Sequence, residues 1–261
     1  MCKRGNDKLS LSLKEIGKVM LLYLLGSVIA GTLSSFLGDI LFGYSLKNIV
    51  LGILNPILLV VIISWYVMKE KELTIRDLVG KQFFKPANKK VYLSVILLVL
   101  GSSIFQNWLI QFDFIHISSS KPEMNILFYF MKAVLLYPLT EEIIFRGIIL
   151  RGALSKYRPV KAIIISIIAF SIIHVLISRI LLTFISGIIY GLIYYKSRSL
   201  IFTIMYHSIH NFIVLAKLYN FIKFKVAWWY SLLGIILMVI GYLLFDKFLE
   251  NDSDDLRTES I

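Results

Sequence analysis

The chain has 261 residues, of which 58% are hydrophobic and 17% charged, with a mean hydropathy of +0.80. Soluble domains average about 45–50% apolar and about 25% charged residues, and a domain of this size has no core large enough for so many apolar side chains. A soluble globular enzyme, a disordered chain and a disulfide scaffold are excluded, and the reading is an integral membrane protein.

The net charge of +12 has a topological meaning. In a soluble chain it would point to nucleic acid, but no basic stripe or aromatic RNA-binding motif accompanies it. Nucleic-acid binding is therefore not expected. The single cysteine, Cys2, removes internal disulfides and thiolate metal clusters. Residues 1–18 are basic and lead into an apolar run from Val19 that no A-x-A-like site closes, so an uncleaved first membrane helix is expected.

Crossing about 30 Å of hydrocarbon takes roughly 20 apolar residues. That ruler gives candidate spans near 18–42, 48–68, 91–112, 126–154, 160–177, 180–195, 199–217 and 226–245. The runs are too long for strands and lack a period of two. The fold expected is an all-α polytopic bundle of about eight transmembrane helices. With the N-terminus inside, the inside segments hold 21 Lys and Arg and the outside loops 6, which the positive-inside rule assigns to an N-in/C-in topology. The connector from Lys69 to Lys90 mixes charge with Leu73, Ile75, Leu78, Val79, Phe83 and Phe84, as an interfacial segment does. Three regions are expected: 1–90, a helix pair with this connector; 91–247, a membrane core; and 248–261, an acidic disordered tail.

Most acids lie in the tails or the connector, and Asp39 and Asp113 lie near span ends. Glu141 and Glu142 do not, and an ionisable residue inside a bilayer is a functional hypothesis by default. Glu142 and Arg146 are four apart and share a helix face in the better order for an ion pair, while Glu141 points about 100° away. Pro138 removes a backbone bond and kinks the helix. On this segment alone, a structural Glu–Arg clamp explains the pattern as well as chemistry does.

The next span carries Phe170 and His174, and the seventh carries His207, His210 and Asn211. Singly, each histidine reads as a satisfied core residue or as inter-helix polar glue. His116, in an outside loop beside Asp113, reads as solvated. Together, two Glu, two or three His and one Asn on three apolar spans are what an acid–base site gathers.

Glu141-Glu142-x-x-x-Arg146, Phe170-x-x-x-His174 and His207-x-x-x-Asn211, in this order on separate spans, resemble the CPBP (Abi) family of intramembrane proteases. That family includes the type II CAAX prenyl endopeptidases and bacterial relatives linked to bacteriocin immunity. The match covers about Val134 to Lys217, and the first three spans carry no signature. The resemblance implies an endopeptidase in which Glu141 and His174 activate a water, Glu142, Arg146 and Phe170 support the site, and His207 and Asn211 stabilise the oxyanion. It implies substrates among membrane-associated peptides or proteins, in a bacterial cell membrane. A carboxylate in an apolar pocket becomes a useful general base, and a neutral His N–H with an Asn amide are suitable donors to developing charge.

Zinc on Glu141, His174 and His207 is the alternative, but the H-E-x-x-H signature is absent and Asn211 suits a second donor; no metal is the preferred reading. A non-proteolytic immunity or scaffold protein is the alternative function. A proton-relay transporter would show an internal repeat, and none is present. Depth supplies a geometric condition. His174 lies 13 residues beyond Lys161, about 20 Å along a helix. Glu141 reaches the same depth only if its helix runs to about Leu154, with Arg151 snorkelling outward and Lys132 at the outer interface. By the same ruler His207 is shallower, at about 12–15 Å.

Overall fold

The structure is a computed structural model that describes residues 7–41, 43–79, 87–110, 126–174, 177–222 and 227–258. Cys2, His116 with Asp113, and the middle of the connector (80–86) lie outside the described residues. Among the described residues the regular structure is helical throughout. The helices are α1 (Leu13–Leu41), α2 (Gly43–Lys71), α3 (Ile75–Val79), α4 (Lys89–Leu109), α5 (Ile126–Phe130), α6 (Tyr137–Glu142), α7 (Arg151–Lys156), α8 (Pro159–Ile172), α9 (Ile177–Ser197), α10 (Leu200–Leu218) and α11 (Trp228–Thr258). Two π-helical stretches, π1 (Met131–Leu136) and π2 (Ile143–Leu150), join α5, α6 and α7 into one helical run over 126–156.

Among the described residues, five stretches are long and apolar enough to cross a membrane: Gly52–Lys71, Lys89–Leu109, Ile180–Ser197, Leu200–Leu218 and Trp228–Asn251. The span expected at 160–177 ends early. Its helix, α8, has 14 residues and covers roughly 21 Å, short of the hydrocarbon thickness. The helices put apolar side chains such as Leu21, Val61, Leu93, Ile168, Val214 and Leu243 on their outer surfaces, as a chain solvated by lipid does.

The chain divides into two compact units, 1–81 with 122–173 and 82–121 with 174–261. Each is discontinuous in sequence, so the division cuts across the serial boundaries expected at 90 and 247.

In the first unit α1 packs on α2, α2 contacts π1, α6 and π2, and α8 lies against π2 and α7. One end of this unit is a charged network. Ser12 and Glu15 form a capping box at the start of α1: the Ser12 N–H and hydroxyl both donate to Glu15 Oε2 at 2.6 Å, and the Glu15 N–H returns to Ser12 Oγ at 3.3 Å. Thr74 and Asp77 repeat the device on α3. Lys71 pairs with Glu15, Lys18 with Glu70, and Lys8 with Asp77. Before α1, Leu9 and Leu11 are buried, and the Leu11 N–H donates to the Gly152 carbonyl at 3.0 Å. Gly152 is required there, because a Cβ would stand 2.5 Å from Leu11 Cγ.

In the second unit α4 packs along α11 and against α10, and α10 along α9. The α4–α11 contact is backbone to backbone, since a Cβ on Gly101 would stand 2.8 Å from the Gly234 carbonyl oxygen. Small residues allow this approach, and dispersion across it replaces the hydrophobic drive that lipid does not supply. Lys196 pairs with Asp246 at 2.7 Å, and the Lys90 ammonium lies 5.6 Å from the Phe248 ring centroid.

Two expectations about charged segments are corrected. Residues 248–258 are helical, continuing α11 to Thr258, where a disordered tail was expected, and Leu249 near their start is buried. Arg151 does not snorkel outward. Its guanidinium holds Asp7 with two bonds of 2.7 and 2.9 Å and donates to the carbonyls of Asp77 and Leu78 at 2.8 and 2.6 Å. A planar five-donor fork satisfied inside the protein has no need to reach for water.

Candidate active site

The helical run over 126–156 carries the first motif and reaches Lys156, the extent that the depth argument requires of it. Its geometry is not uniform. Pro138 has no N–H to give, and π1 directly precedes α6, where Pro138 stands in the first turn. The Tyr137 N–H reaches back five residues to the Lys132 carbonyl, and the Thr140 hydroxyl donates to the carbonyls of Leu136 and Tyr137 at 3.0 and 3.1 Å. Wider turns thus accommodate the proline inside the membrane, where a kink alone was expected. After Glu142 the run widens again as π2, and π turns are frequent at functional sites. The Lys132 ammonium lies 5.2 Å from the Tyr137 ring centroid.

Glu142 and Arg146 form the pair that their spacing predicts, Oε1 to Nη1 at 3.0 Å, with both side chains 0% exposed. The Arg146 guanidinium carbon lies 4.4 Å from the centroid of Phe170 on α8. A planar, weakly hydrated cation stacked on an aromatic face is the form of positive charge that an apolar interior best tolerates. Phe170 meets Phe145 edge to face at 5.3 Å, and Phe145 meets Tyr23 of α1 at 5.6 Å. The Ser166 hydroxyl donates to the Phe145 carbonyl at 3.0 Å and stitches α8 to π2. α6, π2 and α8 therefore meet at the pair, and α1 joins them through Tyr23 and Phe145. Glu141, the residue before Glu142, is half-buried.

The second unit holds the remaining residues. His174 was expected within a span; it stands just past the end of α8, whose C-cap is Ile173, and is half-buried in a turn. His207 is buried on α10, with Asn211 one turn further along and half-buried. The His207 imidazole stacks on Tyr190 of α9 with ring centroids 5.0 Å apart and planes at 25°. Tyr190 meets Tyr206 edge to face at 5.0 Å, and Tyr206 hydrogen-bonds Ser102 of α4. His210 stacks on Tyr206 at 6.3 Å. Nearby polar groups are also paired: Gln106 Nε2 donates to Ser186 Oγ at 2.9 Å, and Lys217 to Asn107.

The structure thus brings Glu142, Arg146 and Phe170 into contact, with Glu141 adjacent, and places His207 and Asn211 on one helix. Glu141 belongs to the first unit, and His174, His207 and Asn211 to the second. Among the described residues, neither unit by itself assembles three His, Cys, Asp or Glu side chains as a metal-holding group. Sequence reasoning missed Tyr190, Tyr206 and Ser102. Tyr190 sits in an Ile-rich helix among 14 tyrosines in the chain, and nothing in its spacing distinguishes it from core.

Residues 123–213 match the family model for type II CAAX prenyl endopeptidase Rce1-like proteins. The matched stretch includes all three motifs. No curated protein and no solved structure matches the chain.

Proposed function

We propose, taking as premise that residues 123–213 carry the CAAX protease family's sequence pattern, that this chain is a membrane-embedded endopeptidase. Its substrates are membrane-associated peptides, of which a prenylated CAAX peptide is the first to test. In this reading Glu141 and His174 orient a water, and Glu141 takes its proton as the oxygen adds to the scissile carbonyl carbon. His207 and Asn211 donate hydrogen bonds to the oxyanion of the tetrahedral intermediate. Glu141 then returns the proton to the leaving amine as the C–N bond breaks. The water supplies both the hydroxyl of the new carboxyl group and the proton of the new amine. No step uses a metal.

The observation that carries the reading is the Glu142–Arg146–Phe170 assembly. It joins the first motif to the second by stacking the cation of a fully buried ion pair on Phe170. The pair neutralises the carboxylate beside the proposed base and fixes the helix on which Glu141 sits. The charged end of the first unit, with Arg151, Glu15 and Lys71, is read as cytoplasmic, in keeping with the Lys and Arg distribution. About eight membrane-embedded helical segments, with both termini inside, remain the topology of this reading.

The test is cleavage of a quenched farnesylated CAAX peptide by the purified chain in proteoliposomes. Glu141→Gln, which keeps the shape and removes the base, is expected to abolish turnover. A Glu141→Gln variant that cleaves at the parent rate would overturn the assignment. A variant that still protects cells from a bacteriocin, with no cleavage product, would establish the non-proteolytic role instead.

A further inference from the structure

We propose that Tyr190 is a positioning residue that fixes the ring plane of His207. The inference rests on the reading of His207 as an oxyanion donor. A histidine side chain has a broad torsion at its ring, and swinging the ring out of its plane redirects the N–H. A hydrogen-bond donor acts in catalysis only when it is already aimed at the place where charge develops. Something must therefore hold the imidazole of His207, and the contact that spans its face is Tyr190, at 5.0 Å and 25°.

Tyr190 is itself held. It is 1% exposed, its ring is met edge-on by Tyr206 at 85°, and Tyr206 is tied to Ser102 on α4. Three helices, α4, α9 and α10, thus locate one imidazole through two aromatic rings. Tyr206 does not take the stacking role, because adjacent residues on α10 diverge by about 100°; it supports Tyr190 from the side. Tyr190 is flanked on α9 by Ile188, Ile189, Gly191, Leu192 and Ile193. An aliphatic residue at 190 would fill the space without restraining the plane of a ring.

The distinction gives the experiment. Tyr190→Phe keeps the stacked face, and Tyr190→Leu removes it while keeping an apolar side chain. Both are compared with the parent and with Glu141→Gln for cleavage of the quenched farnesylated CAAX peptide in proteoliposomes. The His207 ring signals are followed by NMR on histidine-labelled protein, assigned with His207→Gln. Tyr190→Phe is expected to keep the parent kcat and ring signals. Tyr190→Leu is expected to lower kcat roughly tenfold with KM unchanged, less than the ~10²–10³-fold that loss of an oxyanion donor costs, and to move the His207 signals as the ring current is lost. Parent kcat in Tyr190→Leu beside an inactive Glu141→Gln would overturn the inference and leave the protease reading standing. Unmoved His207 signals in Tyr190→Leu would overturn it whatever the kinetics. Parent-rate cleavage by Glu141→Gln would instead remove the protease reading, and the signals alone would then decide whether Tyr190 holds His207.

Discussion

The two units of the chain bury polar side chains in opposite ways. In its interior the first pairs charge with charge, Glu142 with Arg146; nearer the surface both carry ion pairs, Glu15 with Lys71 and Asp7 with Arg151 in the first and Lys196 with Asp246 in the second. The described interior of the second uses neutral groups, Gln106 with Ser186, Tyr206 with Ser102, and Tyr190 against His207. A buried ion must be matched at once, because losing its partner leaves an uncompensated charge in a medium that does not solvate it. A neutral hydrogen bond is cheaper to lose and leaves its donors able to answer a charge that appears only during a reaction. On the proposed function, the first unit supplies a base beside a carboxylate already neutralised, and the second supplies the donors.

Breaking the ion pair should have the largest effect. Arg146→Met leaves Glu142 charged and fully buried and removes the cation from Phe170, a loss on the order of 3–5 kcal/mol. A fall in thermal midpoint in detergent, or failure to recover folded protein, is the expected readout. The double variant Glu142→Leu with Arg146→Met removes both charges and should regain most of that stability. If Arg146→Met were as stable as the parent, the contrast between the units would fail. The matching change in the second unit is Gln106→Leu. It deletes one neutral bond, and Ser186 can turn to a carbonyl of its own helix, so a loss of about 0.5–1.5 kcal/mol is expected by the same assay.

The smallest effect lies at the charged end. Lys71 and the Ser12 cap hold the Glu15 carboxyl at about 2, below its ordinary 4.5. A lowered carboxyl favours the folded state above its unfolded value, so this contribution is complete above pH 4.5 and is lost as pH falls toward 2. Both partners are about a quarter exposed, which limits the contribution to roughly 1 kcal/mol or less. Glu15→Gln should flatten that part of the acid limb of a stability profile and leave the neutral plateau almost unchanged. An acid limb identical to the parent's would contradict it.

Much of this contrast was legible in the sequence, for identifiable reasons. Glu142 and Arg146 could be paired in advance because an ion pair four residues apart depends only on helix geometry. Scarcity also marked Glu141, His174 and His207 in so apolar a chain. The contacts between helices were not legible. Arg146 over Phe170 and Tyr190 over His207 depend on how α8 and α9 pack, and no spacing within one segment encodes that. The π turns around Glu141 and Glu142 were missed because the sequence was read with 3.6 residues per turn throughout. His174 was placed inside a span because apolar residues continue past Ile172, although the helix ends there.

The most direct test of the account follows the oxygen. The chain is incubated with the farnesylated CAAX peptide in ¹⁸O-water, and the released fragments are weighed by mass spectrometry. The account predicts one ¹⁸O in the new carboxyl group with the parent chain and no product with Glu141→Gln. Labelled product formed at the parent rate by Glu141→Gln would contradict it.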